Sequence, residues 1–485
     1  MDRHILLKIS SEENNENTSS EPTVLLDISA KIPCKIGSLD EMASSLRDAI
    51  MPILAERLGK FMNEMDALIK KSPERKNEGY LVKESNISRT YTTVVGEVSF
   101  TRTHYRDKDG EYVFLLDKVM EIASRERIAK GVAAEAVNNA IEMSYQKAAA
   151  MVGVNISRQT VKNRTHFLND VVADVPLTRL PVKELHFFID EDHVKIHADN
   201  GKKSVMVPLI AMTEGIDKSN TKRHKTKNPL FIGVYKQKPE VIFDQLYAIA
   251  DRKYDLSKAD IYIHADGGKW IQAYKNVFPN ATFVMDEFHI TKRFKEISPF
   301  FRMETISSLY DCINNNDRDE FYNRFTRSPL TQKINKKQVR KLNEQLNFFM
   351  DKWTGIVNRK TLNVCGSCTE PLVSHVLAER LSRTPCAWSE RGLDVMTMLR
   401  AYRANGFKVT RNDINTGIAD KNQERKELKL RKEKGYEKYE KYFEEAEKEM
   451  EKWFKEKYCK TVPNNIIDVS GGVQQFIKRI SSQRP

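Results

Sequence analysis

The chain has 485 residues, more than one typical hydrophobic core supports, so two or three domains are expected. Its 80 Lys and Arg against 67 Asp and Glu leave a net charge of +13, which favours a polyanionic partner such as DNA or RNA. No run reaches the roughly 18 uncharged apolar residues of a membrane helix and the Ile5-Leu6-Leu7 patch is too short for a signal peptide, while six scattered cysteines fit a reducing compartment; a soluble cytoplasmic protein without a membrane partner is expected.

Residues 1–22 end in the polar stretch SEENNENTSSEP, which has no apolar anchor and reads as a disordered segment. From Met42 to Lys70 apolar residues recur at three and four, predicting an amphipathic helix that Pro73 and Gly79 break. Residues 89–106 are rich in Thr, Val and aromatics around Gly96 and predict a hairpin. Helical spacing returns over 115–165. Within it, SYQKAAAMVGVNISRQTVKNRT gives a helix, Gly153, and a second helix capped by Ser157, the outline of a helix-turn-helix. The second helix would display Arg158, Gln159, Lys162, Asn163 and Arg164, side chains that read base edges and phosphates in a major groove. An ordinary helical hairpin with a solvated polar face fits the same spacing. Residues 23–170 therefore read as a mainly helical N-terminal region with a hairpin, a candidate DNA-binding region.

Over 180–297 the pattern changes to strands LHFFID, HVKIHA and SVMVPLIAM, a helix at 239–250, strand IYIHAD, a helix from Lys269 to Phe278, and strand ATFVMD. Three strands followed by alternating helix and strand predict an α/β core, an RNase H-like mixed sheet with helices on both faces. Residues 298–362 read as an all-helical insertion and 363–410 as the last helix of the core. The Lys- and Glu-rich residues 411–485 form a charged helical region whose seam of Tyr436, Tyr439, Phe443, Ala446, Met450 and Trp453 is too short for a convincing coiled coil.

Three acids stand where a divided metal site would have them. Asp190 and Asp266 close apolar strand runs, and Glu370, before Pro371, suits the first turn of a helix. Carboxylates on separate elements can converge on two divalent cations, Mg²⁺ or Mn²⁺, and support in-line attack on a phosphodiester. Strand alternation puts Asp190 and Asp192 on one face and Glu191 on the other, so the two aspartates compete for one position. Asp266 has a second reading as a helix N-cap, since Gly267-Gly268 leads into a helix. Glu379 competes with Glu370, and His289 could donate a hydrogen bond near the reacting phosphate. Cys365-Gly-Ser-Cys368 lacks the partners of a zinc or redox site.

At these residues the sequence resembles the ISLre-type bacterial insertion-sequence transposases, DDE enzymes with a Mutator-like core. FIDEDHVKIH resembles the block of the first aspartate, HADGGKWI that of the second, and FVMDEFHITKRF the D-x-F-H segment after it. CTEPLVSHVLAERLSRTPCAWSERGLDVMTMLRAYRANG resembles the block of the third acid, and GEVSFTRTHY extends the likeness toward the N-terminus. The resemblance implies a DNA transposase, with Asp190, Asp266 and Glu370 as a metal-binding catalytic triad, two Mg²⁺ or Mn²⁺ ions, double-stranded DNA as partner and a homo-oligomeric active complex. A nuclease of the same fold that does not join ends, and a non-catalytic DNA-binding descendant of a transposase, fit the same residues.

Overall fold

The computed structural model describes residues 38–414 apart from 167, 169–176, 199–200, 218, 220–224, 328, 330–334, 363–367 and 385, together with the short strands Leu7–Lys8 and Leu25–Leu26. The polar spacer at 11–22, Cys365 and the Tyr436 to Trp453 seam lie outside the described residues. Two compact units form, one of residues 1–140, 144–162 and 410–412 and one of 141–143, 163–409 and 413–485.

The first unit is built on a helix and a sheet. Helix α1 (Leu39–Lys71) starts at Ser38, whose hydroxyl accepts from Glu41 N at 3.3 Å while the Glu41 carboxylate accepts from Ser38 N at 3.2 Å. That capping box satisfies two otherwise orphaned donors and starts the helix ahead of its apolar stripe. The helix packs on an antiparallel sheet of β1 (Leu81–Thr93), β2 (Gly96–Arg106) and β3 (Tyr112–Val113). Gly96, at φ 111°, makes the turn that the sequence predicts, but β1 begins at Leu81 rather than 89, with register shifts between Val82 and Ile87. Ala55 and Met62 pack with Val98, Phe100, Leu116 and Ile122 to form the core. Asp66, buried among them, accepts from Thr103 N at 3.0 Å and Thr103 Oγ1 at 2.7 Å, so its burial leaves it partnered. The N-terminal region therefore carries a sheet as well as helices.

The predicted helix pair is present as α2 (Tyr145–Met151) and α3 (Arg158–His166), with Gly153 at φ 75° between them and Ser157 Oγ accepting from Thr160 N at 3.1 Å. Val161 and Thr165 are buried; Arg158, Gln159 and Asn163 are exposed, and Lys162 and Arg164 half-buried.

The second unit holds a mixed five-stranded sheet. In chain order its strands are β4 (Glu184–Ala198), β5 (Gly201–Thr213), β6 (Leu230–Gly233), β7 (Asp260–Ala265) and β8 (Thr282–Met285), arranged across the sheet as β6-β5-β4-β7-β8. The first three are antiparallel; β7 and β8 are parallel to β4. Helix α4 (Pro239–Lys253) makes the crossover into β7 and buries Phe243, Leu246 and Ala250 against Leu185, Phe187, Ile189 and Ile263. The expected helix after Asp266 is a 3₁₀ turn, Lys269–Ala273, followed by Tyr274–Val277.

Helix α5 (Glu287–Ile297) leads into the expected helical insertion: α6 (Met303–Asn314), α7 (Arg318–Arg327), α8 (Lys336–Asp351) and α9 (Trp353–Thr361). Phe294, Phe321, Phe349 and Trp353 form its aromatic centre, which is continuous with Met285 of β8. Among the described residues no helix is long and apolar enough to cross a membrane.

In a solvated helix Gly→Ala stabilises by about 1 kcal/mol. Gly59 of α1 reverses that sign, because a Cβ there would overlap the Ser99 carbonyl oxygen of β2. Gly59→Ala should destabilise the protein by about 1–3 kcal/mol, read as a lower denaturant midpoint at unchanged m-value.

Candidate active site

Strand register positions the acids. β4 and β7 pair in parallel from Glu184 with Asp260 to Phe188 with His264, and there the pairing stops while β4 runs on to Ala198. Two residues beyond that last pair stand Asp190 and Asp266, level on neighbouring strands. β8 ends at Met285, opposite Ala265, and Asp286 follows; its N–H donates to Ala265 O at 3.1 Å. Three aspartates thus share one level at the carboxyl side of three parallel strands, where ligands gather in α/β sheets.

Asp190 does not end a strand, as the sequence suggests; LHFFID and HVKIHA are one strand. β5 pairs with it from His186 to Ala198, so the acids interrupt no hydrogen bonding on that side, and only the β7 side opens. Asp190 is buried and its Oδ1 accepts from Glu191 N at 2.9 Å. His289, in the first turns of α5, places Nε2 3.9 Å from Asp190 Oδ2. Burial alone would lower the His289 pKa, but Asp190, then Asp286 and Asp266, raise it above the ordinary value. Asp286 caps α5 by accepting from Phe288 N at 3.0 Å. Asp266 Oδ1 accepts from Gly268 N at 2.7 Å, closing a turn through Gly267 at φ 80°. Because Gly268 precedes the 3₁₀ turn, Asp266 does not serve as a helix N-cap.

Glu191 keeps to the face that alternation gives it, beside Trp270 with Leu185, Phe187 and Ile189, yet it feels the other acids. Burial first, then the Asp266 and Asp190 carboxylates, push its pKa up to about 7, offset in part by the Trp270 indole. Its Oε2 is buried without a hydrogen-bond partner. Asp192 instead accepts from Ser382 Oγ at 2.9 Å, and burial raises its pKa. Asp190 and Asp192 therefore do not simply compete for one place. The Asp266 and Asp190 carboxylates act on Glu191 through space, across a strand whose alternation is intact.

Glu370 lies in the first turn of α10 (Thr369–Val373), as the sequence predicts, and α10 lies against β4. Its side chain is exposed, and no hydrogen bond or ion pair among the described residues joins it to Asp190 or Asp266. The helix continues through a π-helical turn, Ser374–Ala378, to Glu379–Leu381. A π turn loosens the normal carbonyl pairing. Buried Arg400, on α11 (Glu390–Ala404), supplies donors, Nε to Val376 O at 2.6 Å and Nη2 to His375 O at 2.6 Å. Glu379 sits 3.8 Å from Arg400 Nη2, an arginine that also pairs, more closely, with Glu142. Among the described residues no three His, Cys, Asp or Glu side chains are grouped closely enough to hold a metal ion as they stand. Sequence reasoning missed the place of Asp286, although ATFVMD repeats the apolar-run-then-Asp signal of IYIHAD.

Residues 35–416 match the family described as an uncharacterised protein family (UPF0236). A UPF0236 protein of Caldanaerobacter subterraneus subsp. tengcongensis is 29% identical over 377 residues, covering 76% of this chain and 78% of the relative; its name joins eleven locus designations. A second from the same strain, with four designations, is 30% identical over 366 residues, 73% of this chain and 76% of the relative. A UPF0236 protein "in vanSb 3′ region" of Streptococcus gallolyticus is 23% identical over 390 residues, 76% of this chain and 84% of the relative.

The raised Glu191 pKa has a stability consequence. Between the ordinary value of 4.5 and about 7 the folded state holds a proton that the unfolded chain releases, so stability should fall as pH rises through that window. Glu191→Gln should remove the fall and, at pH 8 without divalent cations, stabilise by about 1–2 kcal/mol after allowance for solvent screening, measurable by urea unfolding at pH 5 and 8.

Proposed function

We propose that this chain, which belongs to the uncharacterised protein family UPF0236, is a DNA transposase that cuts the ends of its own element and joins the freed 3′-hydroxyl to target DNA. The observation that carries the reading is the level placement of Asp190, Asp266 and Asp286 at the carboxyl side of three parallel strands. Three antiparallel strands followed by two parallel crossovers are also the order of an RNase H-like core, the fold proposed for this unit.

The donor set suits Mg²⁺ or Mn²⁺. Asp190, Asp266 and Glu191 offer hard oxygens, and Glu191 Oε2 has no hydrogen-bond partner while neighbouring carboxylates crowd it. Mg²⁺ keeps several waters and takes substrate oxygens, so it needs one or two carboxylates rather than a closed cage. Two such ions, when bound, supply activation of the attacking oxygen and stabilisation of the leaving one. Glu370 is the third acid in this reading, and the commitment of Glu379 to Arg400 favours that choice. His289, whose charged form the neighbouring aspartates favour, would donate to a phosphate oxygen in this reading. Arg158, Gln159 and Asn163, exposed on α3, with Lys162 and Arg164, would contact double-stranded DNA. The eleven locus designations in one relative's name are what a sequence copied within a genome would have, and this favours an enzyme that joins ends over one that only cuts.

The test incubates the protein with DNA carrying the flanking ends of its own gene, with and without Mg²⁺. End cleavage and joined products are expected only with the metal. Asp266→Asn should lower cleavage on the order of 10³-fold or more while retaining the fold and DNA binding. Glu370→Gln should do the same, whereas Glu379→Gln should chiefly lower the melting temperature. Nicks that never become joined products would favour the nuclease; binding without cleavage by the unaltered protein would favour a non-catalytic DNA-binding role.

A further inference from the structure

We propose that Lys352 is a phosphate-holding residue that the helical insertion contributes to the acid cluster, an inference that rests on the transposase reading. Lys352 joins α8 to α9, and its stem lies over the turn that presents Asp266. A Cβ placed on Gly267 would meet Lys352 Cε at 3.1 Å and Cδ at 3.2 Å, with Met285 Cε at 3.2 Å. Gly267, at φ 80°, therefore does two things at once: it allows the turn and leaves room for the lysine stem.

The charge at the end of that stem has no partner among the described residues. Lys352 is half-buried, yet its ammonium makes no hydrogen bond or ion pair with any described residue. Arg359 and Lys360 of α9 are placed differently, at 3.7 Å and 3.4 Å from the Glu287 carboxylate. A half-buried cation beside a turn of the acid cluster, with no ion pair of its own, suits an anion from outside, and a DNA phosphate crossing the strand ends is that anion.

The backbone that carries Lys352 is fastened to the sheet. Next to it, buried Trp353 donates from Nε1 to Asn316 Oδ1 at 2.9 Å. Gly355 lets α9 approach β8 so closely that a Cβ would lie 2.5 Å from the Phe283 ring, and Asn358 Nδ2 donates to Phe283 O at 2.9 Å. The lysine is thus preorganised where negative charge would concentrate during cleavage.

Lys352→Met keeps the aliphatic stem and removes the charge, and Lys352→Arg restores a charge. Both are compared with the unaltered protein on DNA carrying its own element ends with Mg²⁺, alongside melting temperatures. Lys352→Met should melt as the unaltered protein does and cleave on the order of 10- to 100-fold more slowly in single turnover, with Lys352→Arg recovering most of the rate. A second arm measures binding of end DNA whose scissile phosphate is replaced by a neutral methylphosphonate. The unaltered protein should bind it more weakly than the phosphate, and Lys352→Met should bind both alike. Cleavage by Lys352→Met at the full rate, or equal methylphosphonate discrimination in both proteins, overturns the assignment. So does a joint loss of rate and melting temperature that Lys352→Arg does not rescue, which would make the role one of packing. If the unaltered protein binds ends but cleaves nothing, the transposase reading fails, and Lys352→Met binding those ends as tightly as the unaltered protein overturns the Lys352 assignment too, whereas weaker binding that Lys352→Arg restores upholds it; if it binds no end DNA, both fall.

Discussion

The parallel pairing of β4 with β7 is the constraint on which the acid cluster depends. Five residue pairs, ending at Phe188 with His264, bring Asp190 and Asp266 side by side although a hairpin, a third strand and a helix separate them in the chain. Where the pairing ends, β4 continues with β5 as its only long strand partner among the described residues; on the other flank Ser382 reaches Asp192 and Trp388 bridges Ile196, so Asp190 and Asp192 are buried there without a strand ladder. Just inside that edge, His186 Nδ1 and His264 Nε2 lie 3.0 Å apart, a buried polar contact joining the same two strands. A shift of one residue in this register would turn every side chain of β7 to the opposite face and separate the acids.

The insertion is built into the core through β8. Met285 belongs to the insertion's apolar cluster, Phe283 packs both with that cluster and with the core under α4, and Gly355 and Asn358 hold α9 against the same strand. Because Asp286 follows β8 directly and caps α5, the strand that carries one acid also anchors the helices that follow it. Packing and site geometry are consequently coupled: a change that loosens α9 would reach the acid level through a four-residue strand.

Much of this was legible in the sequence, and the misses have physical causes. IYIHAD showed a strand and its acid correctly because an apolar run, an Asp and two glycines mark a strand end unambiguously. FIDEDHVKIH misled because three consecutive acids look like a break, and the partner strand that keeps them in a ladder is set by long-range pairing. The alternation rule describes β4 correctly but is silent on charges that act across the strand, so it gave no sign that Glu191 would feel Asp190 and Asp266. Lys352 gives no sequence signal at all: in NFFMDKWTG it is one more basic residue between helices, and only the tertiary contact with Gly267 distinguishes it. The caps were the easiest features to anticipate, since Ser157 and its helix are settled within a few residues.

The π turn at Ser374–Ala378 gives the Glu370 helix a property that a plain helix lacks. Its carbonyls are held by Arg400 from another helix, so the turn carries one residue more than α-helical winding requires. Deleting a single residue there could be absorbed by rewinding into ordinary helix with both ends intact and nearly in their present phase, because five π-helical residues and four α-helical ones turn through about the same angle. Glu370 would thereby keep its facing while its spacing to the residues that follow changed by one, and a search for its counterpart in relatives by fixed spacing from those residues would go astray at this point.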